Sequence, residues 1–408
     1  MAEVPRTPGS ARPTPAGAAA RAGNRYSVRQ EVNPDNRFVS LQVQWEAGVE
    51  LPQTLRIHPE TARSILSENS SPDIPFRFSL NPYRGCAHAC AYCYARPTHE
   101  YLGLGAGTDF DTQIYAKTNA AELLRKRLAS KSWVREPITF SGVTDCYQPA
   151  EAKLKLTRAC LEACVEYRNP VSVITKSTLV TRDLDVLTEL DRVAGPGVIL
   201  SIPFADEKTA RLIEPFAPPP ELRFRTLEKL SRAGLRTGIS LGPVIPGLND
   251  SDIPALLTRA KASGAAFAFY VMLRLPGNVR EVFLDRIKTH LPDKAGKIEH
   301  HIRQVRGGAL YETDFRHRMS GTGAMATMVD RLFRIHARKL GLEIGERGLA
   351  DAGEGHRRNF QHDPVWVNTV ALPLGNNEAA LMTPPVRPPM PPPKPRADKP
   401  EQLDLFNR

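Results

Sequence analysis

Three cysteines within eight positions are the residues best suited to do chemistry. They lie in Asn81-Pro82-Tyr83-Arg84-Gly85-Cys86-Ala87-His88-Ala89-Cys90-Ala91-Tyr92-Cys93-Tyr94. C-x3-C-x2-C spacing lets three thiolates wrap one compact metal centre, whereas a [4Fe–4S] cluster normally takes four. With Cys86, Cys90 and Cys93 as ligands, one iron is left open to an exogenous group. The glycine, alanines and aromatics around them suit a tight loop that keeps a cluster from water. The alternatives are a zinc site completed by His88 or His99, and structural buried thiols. Zinc sites usually pair one C-x2-C with a second, distant pair. No such pair exists, because Cys160 and Cys164 stand at helical i, i+4 spacing among apolar neighbours. The spacing, directly after a first strand, favours iron–sulfur.

The elements that must hold this loop are legible as an alternation of strands and helices. Apolar or β-branched runs predict strands at 76–80, 138–142, 171–175, 198–202, 237–241 and 266–273. Helical periodicity falls between and after them, at 120–129, 153–167, 182–193, 221–233, 251–261 and 279–290. Six βα units require a parallel sheet with right-handed crossovers, either doubly wound or a partial barrel. In both, function gathers at the C-terminal ends of the strands. A further helix at 326–340 is expected to pack through Met328, Leu332, Ile335 and Leu340. Its Arg331, Arg334, Arg338 and Lys339 should then face outward, as a solvated basic face rather than a nucleic-acid contact.

Composition bounds the rest. The chain has 408 residues, enough for one large α/β domain with appendages, and its 41% apolar content demands a globular middle. No run resembles a membrane span or a secretory signal, so a cytoplasmic protein with reduced thiols is expected, without a disulfide scaffold. Net charge is +11, which favours polyanions such as DNA without proving the partner. The expected organisation is a disordered basic arm at 1–35, an N-terminal extension at 36–70 and the βα core at 71–298. A helical extension at 299–350, an irregular segment at 351–382 and a tail at 383–408 follow. Nine prolines between Thr383 and Pro400 give that tail polyproline character.

Here the sequence resembles a known family. C-x3-C-x2-C after the first strand of a six-fold βα array is similar to the radical S-adenosylmethionine (SAM) superfamily. NPYRGC, YCYARP, SGVTDCYQPAE and GPVIPGLND resemble its spore photoproduct lyase-like branch, often called DNA repair photolyases. The resemblance spans about residues 70–345. It implies an α/β fold of partial (β/α)6 barrel type, a [4Fe–4S] cluster and SAM, chelated at the open iron. It also implies an electron donor, since reductive cleavage of SAM to a 5′-deoxyadenosyl radical opens the reaction.

Such a site needs groups for SAM's ammonium and carboxylate, and strand ends offer them. Thr144 and Asp145 close the second strand, Lys176 the third and Ser201 the fourth. Each alone could merely meet water, but three successive strand ends make the site reading better. In the resembled lyases a small hydroxyl, a lysine and a serine surround SAM, and Thr144, Lys176 and Ser201 match those places. One departure matters. The lyases carry a hydrogen-donating cysteine two residues before that hydroxyl, where this chain has Gly142. Cys146, two residues after it, is either a donor from the other side or an ordinary buried thiol. Tyr92, Tyr94 and Tyr147 are candidate radical relays, though packing is the simpler role. Asn249 and Asp250 read as a turn and helix cap.

The last residues, Gln402-Leu403-Asp404-Leu405-Phe406, resemble the bacterial sliding-clamp-binding pentapeptide on a flexible tether. The expected function is therefore a radical SAM enzyme acting on nucleic acid, in the manner of DNA lesion repair. The alternatives are a protein or small-molecule substrate, and a non-catalytic iron–sulfur or zinc protein recruited to the clamp.

Overall fold

A computed structural model describes Val39–Ser40 and residues 55–345. The expected basic arm, the segment 351–382 and the tail with its clamp-like peptide lie outside the described residues.

Six parallel strands carry the fold: β1 (Phe78–Leu80), β2 (Ile138–Phe140), β3 (Val171–Thr175), β4 (Pro196–Ser201), β5 (Arg236–Val244) and β6 (Phe267–Met272). Each pairs with the next in chain order, as in Phe78 with Ile138 and Ile138 with Val171. The order never reverses, as a doubly wound sheet requires. The array is therefore singly wound, in the manner of a partial barrel. Leu66–Glu68 flanks β1 antiparallel and Glu343–Ile344 flanks β6 parallel, so the sheet stays open.

The helices following these strands are α1 (Ala120–Leu128), α2 (Leu156–Glu166), α3 (Leu184–Val193), α4 (Pro220–Arg232), α5 (Ile253–Ala262) and α6 (Val279–His290). Strand periodicity decides which face they cover. Phe78, Leu80, Ile138, Phe140, Val171, Val173, Val198, Leu200, Ile239 and Leu241 join the main core with residues of α1 to α5. The alternate positions are small or polar on β1, β2 and the start of β3, as Ser79, Thr139 and Ser172, and turn apolar at Ile174. Toward β6 they become apolar, where Ile199, Phe267 and Phe269 pack together. Burying one such aliphatic side chain contributes ~1.5–3 kcal/mol.

The late helix, Gly323–Lys339, corrects one expectation. Its buried face is Ala326, Val329, Phe333 and Ala337, while Met328 and Ile335 are exposed and Leu332 and Leu340 half-buried. The apolar residues fall on two stripes of this helix, and the one carrying Phe333 meets the core, its ring 5.0 Å from that of Tyr270. Arg331, Arg338 and Lys339 do face outward, but half-buried Arg334 pairs with Asp330 at 2.8 Å. Among the described residues no helix is long and apolar enough to cross a membrane.

Candidate active site

The cysteine loop leaves β1 and is stitched to the loop after β2. Asn81 Oδ1 accepts from the amides of Val143 and Thr144 at 3.0 and 3.1 Å. Thr144 Oγ1 donates to Tyr83 O at 3.0 Å. Gln148 spans the loop itself, accepting from Ala87 N at 3.1 Å and donating to Gly85 O at 2.9 Å. Gly85 has φ +75°, and a Cβ there would stand 2.8 Å from Phe110 O, so only glycine passes.

Arg96 organises the other end. It is fully buried, and donates to Cys90 O at 2.9 and 3.0 Å, to Ala106 O at 3.0 Å and to Gly107 O at 2.9 Å. The same guanidinium pairs with the equally buried Asp111 at 2.9 Å. A rigid planar fork suits this bridging, which a lysine could not reproduce. Ala91 N donates to Ile213 O at 3.0 Å, docking the loop on the segment after β4.

Cys86 and Cys90 are buried, Cys93 is half-buried, and none is in a disulfide. Burial pushes all three thiols up, Cys90 to about 12, and their mutual repulsion adds to this for Cys86 and Cys90. Opposing it, the amides of Asp145 and Ala95 are directed at the sulfurs of Cys86 and Cys93, and Lys176 attracts Cys90. Such donors favour thiolates, which a bound cation would complete. The donor set thus fits an iron–sulfur cluster. It does not fit a single zinc ion. Among the described residues no three His, Cys, Asp or Glu side chains converge as one ion's ligands. A cube instead gives each thiolate its own iron. His99 is committed elsewhere, its Nε2 2.8 Å from Gln113 O. His88 is buried in the loop, with Nδ1 3.4 Å from Asp145 Oδ2 and Nε2 without a hydrogen-bond partner.

The strand-end residues gather around this loop. Asp145 accepts from Thr175 Oγ1 at 2.7 Å and from Lys176 N at 2.8 Å. Burial would raise its carboxyl, but His88 and these donors hold it at about 2. The Lys176 ammonium stands 5.7 Å over the Tyr92 ring. Burial pulls it down, yet Cys90 and Glu214 outweigh this and keep it protonated. Ser201 Oγ donates to Gly242 O at 3.3 Å, on the end of β5.

Behind Lys176 lies a buried network that the sequence does not announce. Glu214 accepts from Tyr92 Oη and, at 2.5 Å, from Arg223 Nη2. Arg223 also donates to Ser201 O at 2.9 Å. These partners come from the cysteine loop, the segment after β4, and α4, so no local spacing reveals them. Asn249 is likewise more than a turn residue, donating to Pro203 O at 2.7 Å and Pro243 O at 3.0 Å and accepting from Ile245 N at 2.6 Å.

The two positions weighed as hydrogen donors stand apart. Gly142 has φ +117°, a backbone conformation that disfavours any side chain, and its carbonyl accepts from Tyr94 Oη. Cys146 is fully enclosed in the main core, its thiol raised by burial. Tyr147 is enclosed too and donates to Asp183 at 3.1 Å, whereas Tyr94 is exposed.

A sequence profile of the radical SAM superfamily matches residues 80–260. An uncharacterized protein of Mycobacterium tuberculosis is 37% identical over 233 residues, covering 56% of this chain and 68% of the relative. The radical SAM Nα-GlyT isomerase of Pseudomonas phage M6 is 28% identical over 186 residues, 45% of this chain and 36% of that one. Spore photoproduct lyase complexed with dinucleoside spore photoproduct superposes with a TM-score of 0.51 and 15% identity, over 71% of this chain and 81% of that chain. At that identity the likeness is one of fold. With three thiols presented at the C-terminal mouth of a singly wound sheet, and a profile match running through them, the chain belongs to the radical SAM superfamily, enzymes that work with a [4Fe–4S] cluster and SAM.

Proposed function

We propose that this radical SAM enzyme acts on nucleic acid, in a reaction of the lesion-repair kind, with Cys86, Cys90 and Cys93 holding the cluster. Lys176 then neutralises the SAM carboxylate, Asp145 faces the ammonium, and Thr144 and Ser201 add hydroxyl contacts. When bound, cluster and SAM together supply one-electron cleavage to a 5′-deoxyadenosyl radical, given an external electron donor. The observation that carries the site is the Lys176 ammonium, 5.7 Å over the Tyr92 ring and attracted by Cys90. A cation held protonated beside the open corner is what a carboxylate ligand needs.

Nucleic acid as substrate is supported by the net charge of +11 and by the fold shared with a lyase solved with a dinucleoside photoproduct. Thymine-dimer reversal with a cysteine quench is disfavoured, because Gly142 and the enclosed Cys146 leave no thiol at the mouth beyond the three cluster cysteines. The terminal peptide from Gln402 to Phe406 is proposed to dock on a sliding clamp, keeping the enzyme near replicating DNA in a reducing cytoplasm.

The test is anaerobic reconstitution followed by dithionite and SAM, with and without UV-irradiated DNA. Brown protein that yields 5′-deoxyadenosine, faster with damaged DNA, is expected. Colourless zinc-loaded protein, or cleavage indifferent to every DNA offered, would sink the cluster reading or the substrate reading respectively.

A further inference from the structure

Among the described residues most buried and half-buried arginines pair with a carboxylate, as Arg96, Arg158, Arg182, Arg223 and Arg318 do. Arg274 and Arg306 do not. Among the described residues neither makes an ion pair, and the Nε of each is buried without a hydrogen-bond partner. Arg306 donates instead to main-chain oxygens, Leu273 O at 2.5 Å and His317 O at 3.0 Å. Arg274 has only the weak acceptor Met319 Sδ, 3.6 Å from Nη1. Glu312 attracts Arg306 at longer range, but its Oε1 already accepts from Thr313 N and Asp314 N at 2.7 and 2.9 Å. Burial, and then repulsion from Arg274, bring the Arg306 guanidinium down to about 10.

Two neighbouring guanidinium groups short of anions are costly unless something negative visits them. Their position says where it would sit. Arg274 follows β6 directly, and its guanidinium stacks 5.5 Å over the ring of Tyr94. Tyr94 adjoins Cys93, is 45% exposed and reaches across to the carbonyl of Gly142 at the end of β2. Arg274 therefore lies at the rim of the mouth, beside the cysteine loop, with Arg306 enclosed behind it.

We propose that half-buried Arg274 forms an anion subsite that takes a phosphodiester of the substrate, with the enclosed Arg306 adding positive charge behind it, while the exposed Tyr94 ring offers a stacking face to the adjoining base. This rests on the nucleic-acid reading above. A guanidinium fork matches phosphate oxygens in pairs, and an aromatic face beside it is how unpaired bases are commonly held.

The test is fluorescence anisotropy of a labelled single-stranded oligodeoxynucleotide with the full reconstituted chain, titrated at several salt concentrations. Arg274→Gln, matched to the parent for iron content and melting temperature, should bind about tenfold more weakly or worse. Its log–log salt slope should fall by about 0.7, one phosphate contact on a single strand. Arg274→Lys should restore the slope but not the full affinity, since a point charge replaces a fork. Unchanged affinity and slope in Arg274→Gln would overturn the subsite. So would a raised KM for SAM with oligonucleotide affinity intact, which would give the arginines to SAM. A parent that binds no oligonucleotide would remove the nucleic-acid reading. The anion subsite would then stand if pyrophosphate raises the melting temperature of the parent but not of Arg274→Gln, and fall if it raises neither.

Discussion

At Arg96 a single side chain ties the backbone of Cys90 to the turn at Ala106 and Gly107 and to Asp111, all out of water. Removing one partner of such a pair strands the other charge. Arg96→Gln should lose about 3–5 kcal/mol in urea unfolding and load less than half the iron of the parent on reconstitution. Stability lost with full iron loading would show that the loop tolerates the change. Asp145 makes a pH prediction. Its folded carboxyl sits near 2 against about 3.8 unfolded, so its stabilisation is fully present above 3.8. It declines as pH falls and is gone once pH passes below the folded value. The gap in melting temperature between the parent and Asp145→Asn should therefore be constant from pH 7 to 5 and shrink below about pH 4. A gap that stays level to pH 3 would remove the ionised carboxylate from the account.

Among the elements, β5 and β6 show how closely the sheet is packed on its inner face. A Cβ at Gly238 would stand 2.3 Å from the ring of Phe267, its register partner on β6. Gly238→Ala should thus cost about 1–3 kcal/mol by overpacking, read as a lowered urea midpoint with an unchanged slope. Combining it with Phe267→Leu, which frees space at the ring, should recover part of the loss. Full additivity of the two changes would disprove the clash. The six strands and six helices were all legible from period and punctuation, because each is amphipathic or wholly apolar over its own length. The late helix was legible as a helix but not in its packing. Ala326, Val329, Phe333 and Ala337 compete there with Met328 and Ile335 for the inward stripe, and only the neighbouring surface selects between them.

Across the whole molecule, the segment after the helix Pro292–Gln304 closes what the sheet leaves open. Met272 N donates to Met319 O at 2.9 Å, and Arg318 grips Asp73 at 2.5 and 2.6 Å, joining residues 245 positions apart. The mouth is thus framed by segments from both ends of the described chain, with the cysteine loop at its centre. A cluster bound there stabilises only the states that keep the loop folded. Stripping iron should therefore raise hydrogen exchange most in residues 84–96, with little change in β3 and β4. Uniform loss of protection would mean that the cluster holds the whole domain and not its loop.

The features readable along the chain are local ones. The thiol spacing, the strand–helix alternation and the polar residues at three successive strand ends are properties of short windows, and backbone periodicity converts them directly into placement. Folding in three dimensions settled that the sheet winds one way, that Cys146 is enclosed while Tyr94 is exposed, and that Glu214 and Arg223 stand behind Lys176. It also decided that Arg274 and Arg306 meet no carboxylate among the described residues. Those facts depend on which distant segments meet, and burial and charge balance belong to the meeting, not to any stretch of chain alone.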